Sequence, residues 1–203
     1  MNLVIIGYSG HSYVCIEIAI LAGFNIIGYY DIEEKLLNPY NITYLGSEKD
    51  LIKTNNNLFV AIGDNKLRQL ICEKLILDNY FPSLVHPSAI ISITSLISKN
   101  VLVSAGAVIN AQAKIGFGCI INSSATVEHE CYLSDYVHIA PGAVLAGNVT
   151  VGKRSFIGAN ATIKQGITIG EDVTIGAGAV IINDVPSNST VVGNPGRIIK
   201  AKI

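Results

Sequence analysis

The sequence predicts an α/β unit at the N-terminus followed by an all-β solenoid of stacked parallel coils. Three observations carry this: an unbroken six-residue register in the second half, an alternation of strand and helix signals around a glycine turn in the first, and a strongly apolar composition. The register runs from Val85 to Ile181 in seventeen steps, each beginning with Val, Ile or Leu. Four places after each start stands a small or β-branched residue, as at Ala107, Ala113, Cys119, Ala125, Cys131 and Ala143. One aliphatic and one small residue per step suit a short flat strand and a bend. Three steps close a triangular coil, so residues eighteen apart stack in register with a spacing of about 4.8 Å. Gly152, Gly158, Asn160, Gly170, Gly176 and Gly178 are expected to supply the backbone angles of the bends.

The N-terminal unit is expected over residues 1–82 and the solenoid over 83–203. Leu3 to Ile6 reads as an apolar strand, Gly7-Tyr8-Ser9-Gly10-His11-Ser12 as a turn, and Tyr13 to Ala22 as a helix. Ile26 to Tyr30 makes a second strand ending at Asp31, and Leu58 to Ile62 a third. After the turn Gly63-Asp64-Asn65, a helix is expected from Lys66 to Asn79, with Leu67, Leu70, Ile71, Lys74 and Leu75 spaced for an amphipathic face. This order is half of a doubly wound nucleotide-binding fold. The turn carries GxxG and then His rather than GxGxxG. Asp31 stands about twenty residues beyond it, where such folds set a carboxylate on a ribose or base. The N–H groups opening the helix suit a pyrophosphate, and Ser9 and His11 can add hydrogen bonds. A structural cap for the solenoid end is the alternative use of the same unit.

Half of the 203 residues are hydrophobic and 14% are charged, which signals a large buried core. A net charge of −1 leaves no basic surface for nucleic acid or anionic membrane. The start lacks a cationic n-region, and no uncharged apolar stretch reaches the length of a membrane helix, so a cytoplasmic address is expected. Cys15, Cys72, Cys119 and Cys131 show no metal spacing and read as reduced packing residues.

The chemistry is expected among the four histidines, His11, His86, His129 and His138. His129 and His138 fall on neither interior position of the repeat, so both are expected to project outward. A solenoid face is flat, and copies packed side by side would supply the cleft a ligand needs. Gly147 stacks one coil above His129 and leaves its N–H approachable. Acyl transfer requires such a pair: a base for the nucleophile's proton and a donor for the oxyanion. Glu130 can orient the imidazole. Histidines on a solvated face are the plain alternative. A three-histidine zinc site is not expected, because His86 lies more than two coils from the other two.

With these residues assembled, the chain resembles the bacterial hexapeptide acyltransferases and, more closely, their PglD/NeuD branch of nucleotide-amino-sugar N-acetyltransferases and sialic acid O-acetyltransferases. The resemblance rests on Gly7-Tyr-Ser-Gly-His11, Asp31, Ala61-Ile-Gly-Asp-Asn65, Ile121-Asn-Ser-Ser-Ala125, Glu128-His-Glu-Cys131, His138 and Ala146-Gly-Asn148, and covers essentially the whole chain. It implies a left-handed parallel β-helix, a homotrimer, and acetyl-CoA bound between subunits without a metal. It implies His129 as general base, Glu130 as its partner, His138 near the thioester and the Gly147 N–H on its carbonyl. Gly10, His11, Asp31 and Gly63 would contact the nucleotide, Asn122 the sugar, and Arg197 the CoA. The implied activity is acetyl transfer to the 4-amino group of a UDP- or dTDP-linked 4-amino-4,6-dideoxyhexose in bacterial surface glycan biosynthesis. A sialic acid type O-acetyltransferase and a noncatalytic nucleotide-sugar-binding trimer are the alternatives.

Overall fold

The structure is a computed structural model that describes residues 1–49, 51, 54–75 and 79–201. Strands β1 (Asn2–Ile6), β2 (Asn25–Tyr30), β3 (Tyr44–Gly46) and β4 (Asn57–Val60) form a parallel sheet in the order β3-β2-β1-β4. Leu3, Val4, Ile5 and Ile6 of β1 are all buried, as befits a central parallel strand covered on both faces. The sequence reading lacks β3, whose three residues are too few to show a period.

Helix α1 (Gly10–Leu21) starts three residues before the expected Tyr13. The Ser9 N–H donates to Ser12 Oγ at 2.7 Å and that hydroxyl donates back to the Ser9 carbonyl at 2.6 Å, which closes the cap at Ser9. Gly10, His11 and Ser12 therefore belong to the first helical turn. Helix α2 (Asn65–Leu75) buries Arg68, Cys72 and Leu75, whereas Leu67 and Leu70 of the expected apolar face are 46% and 66% exposed. The helix is turned so that Arg68 meets backbone carbonyls of the solenoid, a demand that hydrophobic spacing does not register. Residues 76–78, part of the expected helix, lie outside the described residues.

Seventeen two-residue strands follow, from Leu84–Val85 to Val180–Ile181. Residues eighteen apart pair in parallel, as Ile121 with Ile139 and Ile139 with Ile157. The strands form three sheets, and these are the faces of a prism. The first face begins at Leu84–Val85, the second at Ile90–Ile91 and the third at Leu96–Ile97. Step-initial aliphatics such as Val103, Ile121, Leu133 and Leu145 fill the axis together with small residues such as Ala107, Ala125 and Ala143. Above the last coil, Ser189–Val192 extends the first face and pairs antiparallel with Arg197–Ala201.

From Asn100 to Gly178 every sixth residue has a positive φ, between 53° and 72°. The expected bend residues divide on this test. Asn160 and Gly178 occupy the left-handed corner position, whereas Gly152, Gly158, Gly170 and Gly176 do not. Three of these are needed for a different reason: a Cβ on Gly152 or Gly158 would lie 2.5 Å from backbone atoms of the coil above, and one on Gly170 would meet the Ser187 backbone as closely.

The two units share a core. The outward column of the first face reads Leu84, Leu102, Ile120, His138, Phe156, Thr174 and Thr190 from coil to coil. Its first three members are buried against Leu3, Ile5, Tyr8, Ile16 and Tyr29 of the N-terminal unit. His138, the fourth, is still covered, and the column opens to solvent from Phe156 onward.

Candidate active site

His138 stands where the covered face becomes an open one. It projects out of the prism as the register requires, and it is 9% exposed because the N-terminal unit closes over it, so the plain alternative of a solvated histidine does not hold at this position. The His11 ring, from the first turn of α1, approaches to 6.3 Å between centroids, and Phe156 packs edge-on at 5.1 Å. Burial, reinforced by the nearby Arg68 charge, holds His138 down at about 3 and His11 at about 4. Both imidazoles are neutral at pH 7.

The tautomer of His138 follows from Asn122. Its Oδ1 accepts the Ser123 N–H at 2.8 Å, so its Nδ2 faces His138 Nε2 at 3.1 Å. An amide nitrogen can donate and not accept, which assigns the ring proton to Nδ1 from the hydrogen-bond network. That Nδ1 is buried and meets no hydrogen-bond partner among the described residues. The Gly63 backbone, which attracts the ring N–H, opposes the downward shift without overcoming it. A Cβ on Gly63 would lie 3.9 Å from His11 Cγ, so the turn after β4 closes directly against that ring.

Asp31 faces the first glycine turn. Its Oδ2 accepts the Tyr8 N–H at 2.8 Å, its Oδ1 accepts the Ile32 N–H at 2.7 Å, and Lys35 Nζ lies 3.3 Å from Oδ1. The carboxylate thus fixes the turn, with a cation beside it. Gly10 opens α1 with free space around its Cα.

A groove of about 490 Å³ opens above Phe156, walled by Gly63, Asn65 and Lys66 on one side and by Arg154, Phe156 and Thr174 on the other. Its size is that of a small-molecule site. The solenoid face is flat by itself, and here the N-terminal unit of the same chain, rather than a neighbouring copy, supplies the second wall. Arg154 grips Asp172 with two hydrogen bonds of 2.9 and 2.6 Å at the rim.

A second group forms at the corner between the second and third faces. His129 Nδ1 lies 3.2 Å from Glu130 Oε2, with the two side chains 58% and 65% exposed. Glu130 occupies a left-handed corner, φ 61°, which turns its carboxylate back toward the ring. Gly147 stands one coil above: a Cβ there would lie 2.5 Å from His129 Cε1 and Nε2. The Asn148 N–H donates to the His129 carbonyl at 2.8 Å, while the Gly147 N–H meets no acceptor among the described residues. The arrangement can accept a proton at Nε2 and offer an N–H beside it.

The structure therefore gathers the sequence candidates into two groups on different faces of one chain: His11, Gly63, Asn122 and His138 at the seam, and His129, Glu130 and Gly147 at the corner. Arg197 joins neither, being exposed on the C-terminal hairpin. Phe156 and Arg68 were missed. Phe156 is reachable by the same eighteen-residue step that finds Gly147, since it stacks above His138. The four cysteines are free and buried. Among the described residues no His, Cys, Asp and Glu cluster suits a metal ion, and no helix is long and apolar enough to cross a membrane.

Comparison with known proteins supplies a context for this geometry. The family model for the PglD N-terminal domain matches residues 2–75, and that for the hexapeptide repeat of succinyl-transferase matches residues 141–182. No curated protein matches the chain. Among solved structures, perosamine N-acetyltransferase from Caulobacter crescentus in complex with CoA and GDP-perosamine is 35% identical, with a TM-score of 0.91 over 98% of this chain and 97% of that one. The acetyltransferase domain of PglB from Neisseria gonorrhoeae FA1090, solved also with acetyl coenzyme A, is 36% identical, with a TM-score of 0.92 over 98% of each chain. WeeI from Acinetobacter baumannii AYE is 25% identical, with a TM-score of 0.88 over 98% of this chain and 100% of that one.

Proposed function

Since the chain belongs to the PglD-type family of hexapeptide-repeat sugar N-acetyltransferases, with an α/β unit leading into a left-handed parallel β-helix, we propose that it transfers acetyl from acetyl-CoA to the 4-amino group of a nucleotide-linked 4-amino-4,6-dideoxyhexose. UDP and dTDP are the carriers we propose, and GDP stands beside them because the Caulobacter relative holds GDP-perosamine. Bacterial surface glycan synthesis is the setting such a product suits.

The observation that carries the mechanism is the contact between Gly147 and His129, where the absent side chain makes room for the imidazole. In the proposed reaction the sugar amine attacks the thioester carbonyl carbon and a C–N bond forms. The Gly147 N–H stabilises the oxyanion, worth about 3 kcal/mol for one well-placed donor. His129 Nε2 takes the proton from the nitrogen, with Glu130 on Nδ1 steadying the imidazolium. The C–S bond then breaks, and the CoA thiolate recovers the proton. No covalent enzyme intermediate is needed, because a positioned neutral amine attacks a thioester readily.

His129 and the groove above His138 lie on different faces of one chain, so a single copy does not unite them. A homotrimer, in which the corner of one copy meets the first face of the next, unites them and gives acetyl-CoA a channel between prisms. His138, neutral and set between Asn122 and Phe156 at the foot of the groove, would sit near the thioester. Gly10, His11, Gly63 and the turn fixed by Asp31 hold the diphosphate and base, and Asn122 lies against the sugar. Arg197 is left for the distal end of CoA.

The experiment is a panel of UDP-, dTDP- and GDP-linked 4-amino sugars, with free and CMP-linked sialic acids as hydroxyl competitors, incubated with acetyl-CoA and analysed by mass spectrometry. A single added acetyl group on an amine is expected. Acetylation of a hydroxyl alone, or binding of a nucleotide sugar without acetyl-CoA turnover, overturns the reading.

A further inference from the structure

Arg68 is the largest fully buried side chain in the described structure, at 1% exposure. No carboxylate lies within ion-pair distance of it among the described residues. Removing such a charge from water costs several kcal/mol, so a guanidinium is tolerated there when every N–H finds an acceptor. Here all five do. Nε donates to the Gly118 carbonyl at 2.7 Å, and one terminal nitrogen donates to the Ile62 and Gly63 carbonyls at 2.8 and 3.0 Å. The other donates to Asn65 Oδ1 at 2.7 Å and to the Tyr136 carbonyl at 3.0 Å.

Those acceptors define its role. Gly118 and Tyr136 are left-handed corner residues of two successive coils, one stacked on the other. Ile62 and Gly63 form the turn that closes against His11 and walls the groove, and Tyr136 lies two residues before His138. One planar fork therefore holds three things in a fixed relation: the Gly63 turn, the start of α2, and the coil that delivers His138. A lysine has a point charge and three N–H groups and does not span this set.

We propose that Arg68 is a positioning residue for acetyl transfer, clamping the Gly63 turn to the coils below His138 and so fixing the width of the gap in which the sugar amine meets the thioester. The proposal rests on the reading of the seam as part of the transfer site. A shift of about 1 Å in such a gap costs about a hundredfold in rate. Binding of CoA between prisms does not involve the clamp.

The test compares Arg68→Lys, Arg68→Ala and His138→Ala with wild type for kcat, for KM of both substrates and for the unfolding midpoint. All assays are run well below that midpoint. For Arg68→Lys, a kcat at least about tenfold down, with the acetyl-CoA KM within about twofold, is expected. For Arg68→Ala, added methylguanidinium should restore kcat in a saturable manner. Wild-type kcat in Arg68→Lys, or a loss that only follows the folded fraction, overturns the clamp. If neither Arg68 variant folds, Asn65→Ala, which removes one acceptor at the groove rim, should lower kcat severalfold with the acetyl-CoA KM unchanged, and an unchanged kcat overturns the proposal. Wild-type kcat in His138→Ala overturns the seam reading and the clamp with it. A low kcat in His138→Ala beside a normal one in Arg68→Lys leaves the seam standing and removes the clamp alone.

Discussion

Replacing Gly147 by alanine tests the proposed chemistry with a single methyl group. Non-bonded carbon atoms rest about 3.5–4.0 Å apart, and the new Cβ would begin 2.5 Å from His129 Cε1 and Nε2, so a deficit of about 1 Å must be relieved. The φ of Gly147 lies outside the left-handed range, so alanine is compatible with the backbone there. His129 is more than half exposed and its ring can swing into solvent at little cost. The unfolding midpoint should therefore move by no more than about 2 °C. Turnover should not survive as well: displacing a catalytic group by about 1 Å costs about a hundredfold. Thiol release from acetyl-CoA in the presence of the amino sugar gives kcat directly. The backbone N–H persists in the variant, so the loss should pass through the imidazole. In a His129→Ala background, Gly147→Ala should then add less than about a threefold further loss. A variant with a displaced imidazole and near-normal kcat would falsify the assignment of His129 as base, and fully additive losses would move the effect to the oxyanion donor.

Three further outcomes are expected. His129→Ala alone should lower kcat by about a hundredfold or more at unchanged fold, since general-base catalysis contributes about that much, and normal turnover removes His129 from the mechanism. The second concerns acid. Above 6.5, the ordinary histidine value, His11 and His138 are neutral in both folded and unfolded chains and do not affect stability; as pH falls toward 4 the unfolded chain takes up two protons that the folded chain refuses, so stability declines by up to about 2.7 kcal/mol per pH unit. Urea midpoints between pH 7 and 4.5 measure this, and His11→Asn should flatten the slope; an identical slope in the variant counts against a buried neutral His11. Third, Ile139→Ala on the prism axis should cost about 2–5 kcal/mol in denaturant unfolding, whereas Leu96→Ala, 63% exposed on the third face, should cost well under half of that. Equal losses would contradict the axial packing.

Much of the solenoid was legible because its signal repeats. One step of six sets every strand from Leu84 to Ile181, and one step of eighteen sets Gly147 above His129. The corners were read less well. The expected bend residues are glycines and small polar residues such as Asn160, yet Gln112, Glu130, Tyr136 and Arg154 also hold left-handed corners, and several glycines mark close approach between coils instead. The position in the repeat, rather than the residue type, specifies the corner. In the N-terminal unit, spacing alone puts Leu67 and Leu70 on the apolar face of α2, whereas the structure exposes both and buries Arg68 between them in sequence. A buried guanidinium satisfied by carbonyls from distant coils leaves no periodic trace. The same limit applies to His138: the register gives its direction from the axis, but its burial depends on a second unit folding over that face.

The apolar strip of Leu84, Leu102 and Ile120 has a practical consequence for anyone recombining relatives of this protein. A prism made alone would carry that strip naked and should self-associate, while the α/β unit made alone would lose one side of its interior. Exchanging the α/β unit between homologues thus means transplanting these three side chains as well, so the graft boundary belongs beyond Ile120 in the third coil rather than at the start of the solenoid.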